Sequence, residues 1–130
     1  MYTLERRIKM NEIKEYTEKI FESIKHIDEN GNEYWLAREL MPLLEYTLWQ
    51  RFSNVIKKGI ENCKNSNNNA LDHFIGTDKM VNIGTNTTRN ISDYILSRYA
   101  CYLILLNCDP RKKVIALAKL ILQSKQENKN

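Results

Sequence analysis

A run of apolar residues spaced three and four apart constrains the fold of this chain more than any other feature. This spacing predicts a helix with one buried face, formed by Leu48, Trp49, Phe52, Val55, Ile56, Ile60 and Cys63. Thr47 and Gln50 match a capping box, which predicts that the helix starts at Thr47. The opposite face carries polar and basic residues that we expect to meet solvent or a ligand: Gln50, Arg51, Asn54, Lys57 and Lys58.

The other predicted elements alternate between helices and β-hairpins. Near-helical spacing predicts an amphipathic helix over residues 4 to 21, and a short helix over 37 to 44 interrupted by Pro42. Asn30-Gly31 indicates a tight hairpin between 21 and 36, and a second hairpin joins 80–83 to 91–96 through a polar tip at 84–90. Ser97 is expected to cap a helix that ends at about residue 107. Asp109-Pro110 is expected to start a last helix that ends at about residue 126.

These elements predict a small, mainly helical α+β domain with two short β-hairpins and a helix-turn-helix-like pair. With 130 residues, the chain can form one compact domain. We expect an N-terminal helix or extension at 1–20, a domain at 21–126 and a polar tail at 127–130.

The charge balance is mildly basic and uneven along the chain. Twenty basic and sixteen acidic residues give a net charge of +4, and the surplus lies in the second half, which a polyanion should therefore meet. The longest apolar run, 99–106, is too short to cross a bilayer, and no signal peptide is evident. We expect a cytoplasmic protein without membrane contact and with reduced thiols at Cys63, Cys101 and Cys108.

The helix pair at 37–44 and 48–62 has the composition of a DNA-recognition element. Arginine, asparagine and glutamine suit base edges, and lysine suits phosphates. An ordinary solvated helix face is the alternative. The second hairpin could act as a wing, with Thr87, Thr88 and Arg89 at its tip, or be a plain surface turn. The predicted phosphate contacts are Arg89, Arg98, Arg111, Lys112 and Lys113.

Catalytic and metal motifs are weak in this sequence. The histidines, His26 and His73, form no zinc pattern with the cysteines, and the phosphate-binding glycine motifs are missing. A divalent ion at Asp72, His73 and Asp78, or a nuclease using Glu12 and Lys14, is a minor alternative. We therefore predict a non-enzymatic domain that needs no cofactor. Three aromatic residues on apolar faces, Trp35, Trp49 and Tyr99, are expected to anchor the core.

Several segments resemble the DNA-damage-inducible protein D family, whose N-terminal region belongs to the BRO family N-terminal domain. The resemblance rests on FESIKHIDENGNEYWLARELMPLLEYTLWQRFSNVIKKGIENCKNS, DHFIG and KMVNIG, and DYILSRYACYLILLNCDPRKKVIALA. It implies a small α+β domain associated with DNA binding, induction in the bacterial SOS response and effects on recombinase filaments. Related sequences often have glycine where this chain has Glu45, and they usually continue for about as many residues again.

The sequence leaves two questions about partners open. The modest net charge is also compatible with a protein-interaction module that acts on a recombinase filament or another regulator. The predicted last helix has a wide apolar stripe between 114 and 122, so a homodimer is an alternative to burial within one chain. If DNA is the partner, single and double strands both remain candidates.

Overall fold

The computed structural model describes residues 18–111, together with residues 4, 12 and 15. Residues 18–23 are helical, as are Leu4, Glu12 and Glu15, which agrees with the predicted N-terminal helix where it is described. The first hairpin follows, with strands β1 (His26–Ile27) and β2 (Glu33–Leu36). It is shorter than predicted because 21–23 belong to the helix. Gly31, with a φ of 82°, supplies the left-handed residue of its turn.

Helix α1 (Ala37–Leu43) follows β2 directly and ends one residue after Pro42. Pro42 lacks the N–H that would continue the hydrogen-bond ladder, so the helix is short, as predicted. Glu45 lies in the connection after α1 with a φ of 63°. A side chain in this left-handed conformation costs roughly 1 kcal/mol relative to glycine.

Helix α2 (Trp49–Asn65) is the predicted amphipathic helix, but its start differs from the prediction. Leu48 is the N-cap and no side chain caps the helix, so the proposed Thr47 capping box does not form. Leu48 is also exposed rather than part of the buried face. The Phe52 ring packs 5.3 Å from Tyr46 and 6.3 Å from Trp49, measured between centroids, so ring packing holds the start of the helix.

The second hairpin is much longer than predicted. Strands β3 (Phe74–Gly84) and β4 (Thr87–Leu96) leave only residues 85 and 86 as the connection, with Asn86 left-handed. Thr87, Thr88 and Arg89 therefore form the start of β4, directly after the turn at the hairpin tip, rather than part of a loop. The outer half is exposed on both faces, so the sequence lacks the apolar alternation that marks a strand.

The two hairpins form one antiparallel sheet in the order β1-β2-β4-β3. Phe74 and Leu96 are paired at the base of the long hairpin, and Trp35 pairs with Leu96 from the other side. The sheet face that carries Phe74 packs against α2, where the Phe74 ring lies beside Gly59. The other face meets the start of α1, where Arg38 N–H donates to Asp93 Oδ1 (3.0 Å).

Helix α3 (Arg98–Leu106) forms the centre of the core. Ser97 caps it by accepting a hydrogen bond from Ala100 N–H (3.0 Å), as predicted. Six of its nine residues are buried, together with Trp35, Phe52 and Ile56 from neighbouring elements. Trp35 is a core anchor, as predicted, whereas Trp49 and Tyr99 are only partly buried. The predicted α+β class is confirmed.

The three cysteines are buried free thiols. Burial raises the pKa of the Cys101 thiol far above its ordinary value of 9.0. The folded protein therefore keeps this proton at pH values where the unfolded chain releases it, so stability falls as pH rises above about 9. Because the folded state keeps the Cys101 proton, we expect the free energy of unfolding to be about 2 kcal/mol lower at about pH 10.5 than at pH 8 on account of this thiol.

Urea denaturation of the wild type and Cys101→Ala across this pH range measures the effect. The comparison isolates Cys101 because Tyr46 and Cys63, whose pKa values burial also raises, remain in both proteins. Parallel stability profiles would contradict the prediction.

Some predictions lie outside the described residues. These are the last helix beyond Arg111, its apolar stripe at 114–122, Lys112, Lys113 and most of the N-terminal helix. Within the part of the chain that the structure describes, no helix is both long enough and apolar enough to span a membrane.

Candidate nucleic-acid interface

The outward face of α2 brings together all five residues predicted to enter a DNA groove. Each is exposed along its first three turns: Gln50, Arg51, Asn54, Lys57 and Lys58. Among residues 18–111, no side-chain hydrogen bond or ion pair engages any of these five. The helix thus presents a face of donors that have no side-chain partners among the described residues, and Lys64, which the sequence-based prediction did not include, extends this face.

This face has two basic edges, which follow from the helical period. Arg51 and Lys58, seven residues apart, lie on one edge, and Lys57 and Lys64 lie on the other. Ile60 lies between Lys57 and Lys64 on that second edge. The sequence-based prediction stopped near the end of the apolar stripe and did not include Lys64. The seven-residue interval from Lys57 was the signal that could have identified it.

The segment after α3 runs beside α2. Asn107 Nδ2 donates to Asn62 Oδ1 (2.7 Å), and Asn62 follows Lys58 by one helical turn. Arg111 is exposed in this segment and makes an ion pair with Asp109 (2.9 Å), whose hydrogen bonds raise the pKa of the guanidinium. Arg111 therefore lies in a segment anchored near the Arg51–Lys58 edge, and the adjoining Lys112 and Lys113 are outside the described residues.

The structure contradicts the prediction that Arg98 contacts phosphates. Its side chain is only 8% exposed, and it donates from Nε to Glu33 (2.8 Å) and from Nη2 to Glu22 (3.1 Å). The guanidinium also lies 5.0 Å above the Trp35 ring. Burial lowers the pKa of Arg98, but the hydrogen bonds and charges of Glu33 and Glu22 outweigh it and raise the pKa overall.

Arg89 is exposed but lies apart from the α2 face. It pairs with Val81, and strand alternation places both on the hairpin face opposite Phe74, whereas Phe74 is on the face that packs against α2. The hairpin can still reach a ligand as an arm, but the structure does not join Arg89 to the α2 residues in one surface.

Histidine and carboxylate side chains do not assemble a metal centre in the described part of the chain. No group of three His, Cys, Asp or Glu residues is placed to hold an ion there, so Asp72, His73 and Asp78 are not gathered. His73 Nδ1 instead shares a hydrogen bond with Ser97 Oγ (2.7 Å) at the start of α3. His26 Nε2 pairs with Glu39 (2.5 Å) at the surface.

Comparison with known proteins assigns this domain to a family. The BRO family N-terminal domain matches residues 23–129, which is most of the chain. The chain belongs to this family. This BRO N-terminal domain is also 48% identical over 96 residues to DNA damage-inducible protein D of Escherichia coli (strain K12). That match covers 74% of this chain and 35% of the relative, so the chain spans about a third of its length.

The resemblance seen in the sequence motifs is thereby confirmed. No solved structure matches this BRO domain.

Proposed function

We propose that this BRO domain is a non-enzymatic DNA-binding domain whose recognition element is the outward face of α2. The observation that carries the proposal is the exposure of Gln50, Arg51, Asn54, Lys57 and Lys58 on one helix, without internal side-chain partners among the described residues. A helix face of this kind can exchange water for base edges and phosphates without breaking any contact that holds the fold.

The dimensions and chemistry of the face suit a DNA groove. An α-helix with its side chains is about 10–12 Å across, and the major groove, about 12 Å wide, admits one. Residues 50–58 would present about 12 Å of helix length to the groove. Arg51 can pair with guanine and Asn54 or Gln50 with adenine, each good pair contributing about 1–3 kcal/mol of discrimination. The two lysines would contact phosphates and hold the helix in register.

The outer phosphate contacts follow from the remaining cations. Arg111 supports the proposal through its place in the segment beside α2, and Lys112 and Lys113 continue that segment in sequence. Arg89 would contact DNA only through the hairpin arm. Arg98 is excluded from the set because its guanidinium holds Glu22 and Glu33 inside the fold.

The relative's name supports a role in the response to DNA damage. DNA damage-inducible protein D is named for its induction by damage, and we extend that role to this chain on the basis of 48% identity. Measuring the level of the protein before and after ultraviolet irradiation of its host tests this part of the proposal. An unchanged level would contradict it.

Fluorescence anisotropy with labelled DNA tests the binding itself. With about four phosphates engaged, the logarithm of the association constant should fall with the logarithm of salt concentration at a slope of roughly −4. Binding that is absent at about 50 mM salt, or that is indifferent to salt, would overturn the proposal and favour a protein-interaction module.

A further inference from the structure

A groove lies between α2 and the base of the long hairpin, next to the Lys57–Lys64 edge of the α2 face. Its volume is about 600 Å³, within the range of small-molecule sites. Among its lining residues, Ala70 and Phe74 are buried, whereas Leu71, Lys64, Asn68 and Asn69 are exposed, so the floor is apolar and aromatic and the rim is mostly polar or basic. The groove is lined by Ile60, Ala70, Leu71, Phe74, Gly76 and Tyr94, with Lys64, Asn68 and Asn69 at the rim.

Tyr94 and Gly76 make the most informative pair in this groove. They are directly opposite each other in the β3–β4 ladder, on the face that packs against α2. Within the described part of the chain, no heavy atom lies within 4 Å of the position that a Cβ of Gly76 would occupy, and the φ of Gly76 is not in the left-handed region. Neither the backbone conformation nor the packing of this fold therefore requires glycine here.

Glycine inside a strand often marks a bulge, a tight bend, or a place where a ligand approaches the backbone closely. The β3–β4 register is regular at Gly76 and shifts only between Asn82 and Gly84, so Gly76 is not part of a bulge, and its position beside the groove favours a ligand. Beside it, no other aromatic ring among the described residues stacks on Tyr94. The structure thus leaves an aromatic side chain next to an open stretch of backbone. A flat, unsaturated ring would fill this space and contact both.

The charges at the rim indicate what such a ring would be attached to. Lys64 lies at the rim of the groove. Lys57 precedes Ile60 by three residues on α2, so helical spacing places it on the same side of the helix as Ile60, which lines the groove. The rim amides are held in place: Asn69 Oδ1 accepts from Leu71 N–H (3.1 Å), and Asn68 Nδ2 donates to the Tyr99 hydroxyl (3.2 Å). An apolar floor beneath a basic rim suits a neutral ring that carries anionic phosphates outside.

We propose that this groove is a nucleobase pocket, in which an unstacked base of single-stranded DNA lies against Tyr94 while Lys57 and Lys64 contact the neighbouring phosphates. Base–aromatic stacking is the usual way in which proteins hold single strands without reading their sequence. The pocket rests on the proposed DNA-binding function and extends it, because it gives the domain a site that an intact duplex cannot fill.

Filling the groove from the protein side tests the pocket. Gly76→Val places a β-branched side chain in the open space, where its Cβ has no described heavy atom within 4 Å. We expect the affinity for a labelled 15-nucleotide oligothymidylate to fall roughly 5- to 150-fold, which is the loss of one stacked base. The affinity for a 15-base-pair duplex should change less than twofold.

Gly84→Val is the matched control. Gly84 lies in the same strand near the hairpin tip, and its Cβ position is equally open. We expect this variant to bind both DNAs like the wild type. Tyr94→Leu should reproduce the Gly76→Val loss and Tyr94→Phe should not, so the test does not depend on one variant folding. Circular dichroism and thermal unfolding confirm that each variant is folded.

Two further probes separate the outcomes. An abasic oligonucleotide of the same length should bind the wild type weakly and be insensitive to Gly76→Val. A wild type that binds no DNA at low salt would overturn both the proposed function and the pocket. A wild type that binds single strands equally with and without bases, or a folded Gly76→Val with unchanged affinity, would overturn the pocket alone.

The two other ligands that the groove could take are also distinguished. Tighter binding of oligouridylate than of oligothymidylate would indicate that the pocket binds RNA and would overturn the DNA assignment. A loss of duplex affinity equal to the single-strand loss would show that the groove belongs to the duplex surface and overturn the nucleobase assignment.

Discussion

Replacing Arg98 with methionine is expected to lower the free energy of unfolding by about 3 kcal/mol. Removing one partner of a buried ion pair costs about 3–5 kcal/mol because the remaining charge is left uncompensated. Glu22 and Glu33 keep 29% and 30% of their side chains exposed and can rehydrate, so the loss should be at the lower end. Urea denaturation at neutral pH measures it.

Arg51→Met is the matched control for this experiment. Arg51 is exposed on α2 and makes no internal ion pair among the described residues, so its replacement should change stability by less than about 0.5 kcal/mol. Arg98→Lys should give an intermediate loss, because lysine keeps the charge but not the forked donors that reach both Glu33 and Glu22. An Arg98→Met variant that is as stable as the wild type but binds DNA more weakly would contradict the prediction and indicate that Arg98 contacts phosphates.

Replacing Lys57 and Lys58 together with glutamine is expected to weaken DNA binding about 60-fold at about 0.1 M salt. Each phosphate contact contributes roughly 0.9 to the slope of log affinity against log salt, so two contacts account for about 1.8 logarithmic units at this concentration. The slope itself should become shallower by about 1.8. Anisotropy titrations at four salt concentrations measure both quantities.

Two single variants control for general effects of charge. Lys25 pairs with Glu22 (2.9 Å) away from α2, so Lys25→Gln should leave DNA affinity nearly unchanged. Glu61→Gln removes a carboxylate from the outward side of α2 and should strengthen binding several-fold. The double variant binding within threefold of the wild type would show that the α2 face does not contact phosphates.

The elements that the sequence predicted best are those with a strong local period. The 3.6-residue spacing from Trp49 to Cys63 identified α2 and its exposed face, and Ser97 identified the start of α3. The length of the long hairpin was underestimated because both faces of its outer half, Lys79 to Asn90, are largely exposed. Strands of this kind are held by backbone hydrogen bonds and need no alternation of apolar and polar residues in the sequence. Thr47 matched a cap pattern, yet ring packing of Phe52 fixed the helix start.

In the candidate site too, the features that depend on local spacing could be predicted and those that depend on distant contacts could not. Exposure of Arg51, Asn54 and Lys58 could be predicted because it depends only on the helix that contains them. The burial of Arg98 could not be predicted, since its partners Glu22 and Glu33 are 76 and 65 residues away in the chain. A cationic residue in the first turn of a helix looks the same in sequence whether it faces solvent or a buried carboxylate.

The sequence by itself determined which helical faces are apolar and which are basic, together with the family of the chain. These properties are set by residue order over one or two turns. Only the tertiary structure decided that Arg98 is buried, that Arg89 lies on the hairpin face opposite Phe74, and that Tyr94, Gly76 and Ile60 border one groove. Those placements arise from contacts between distant segments, and their energies depend on burial and pairing that local residue order does not encode.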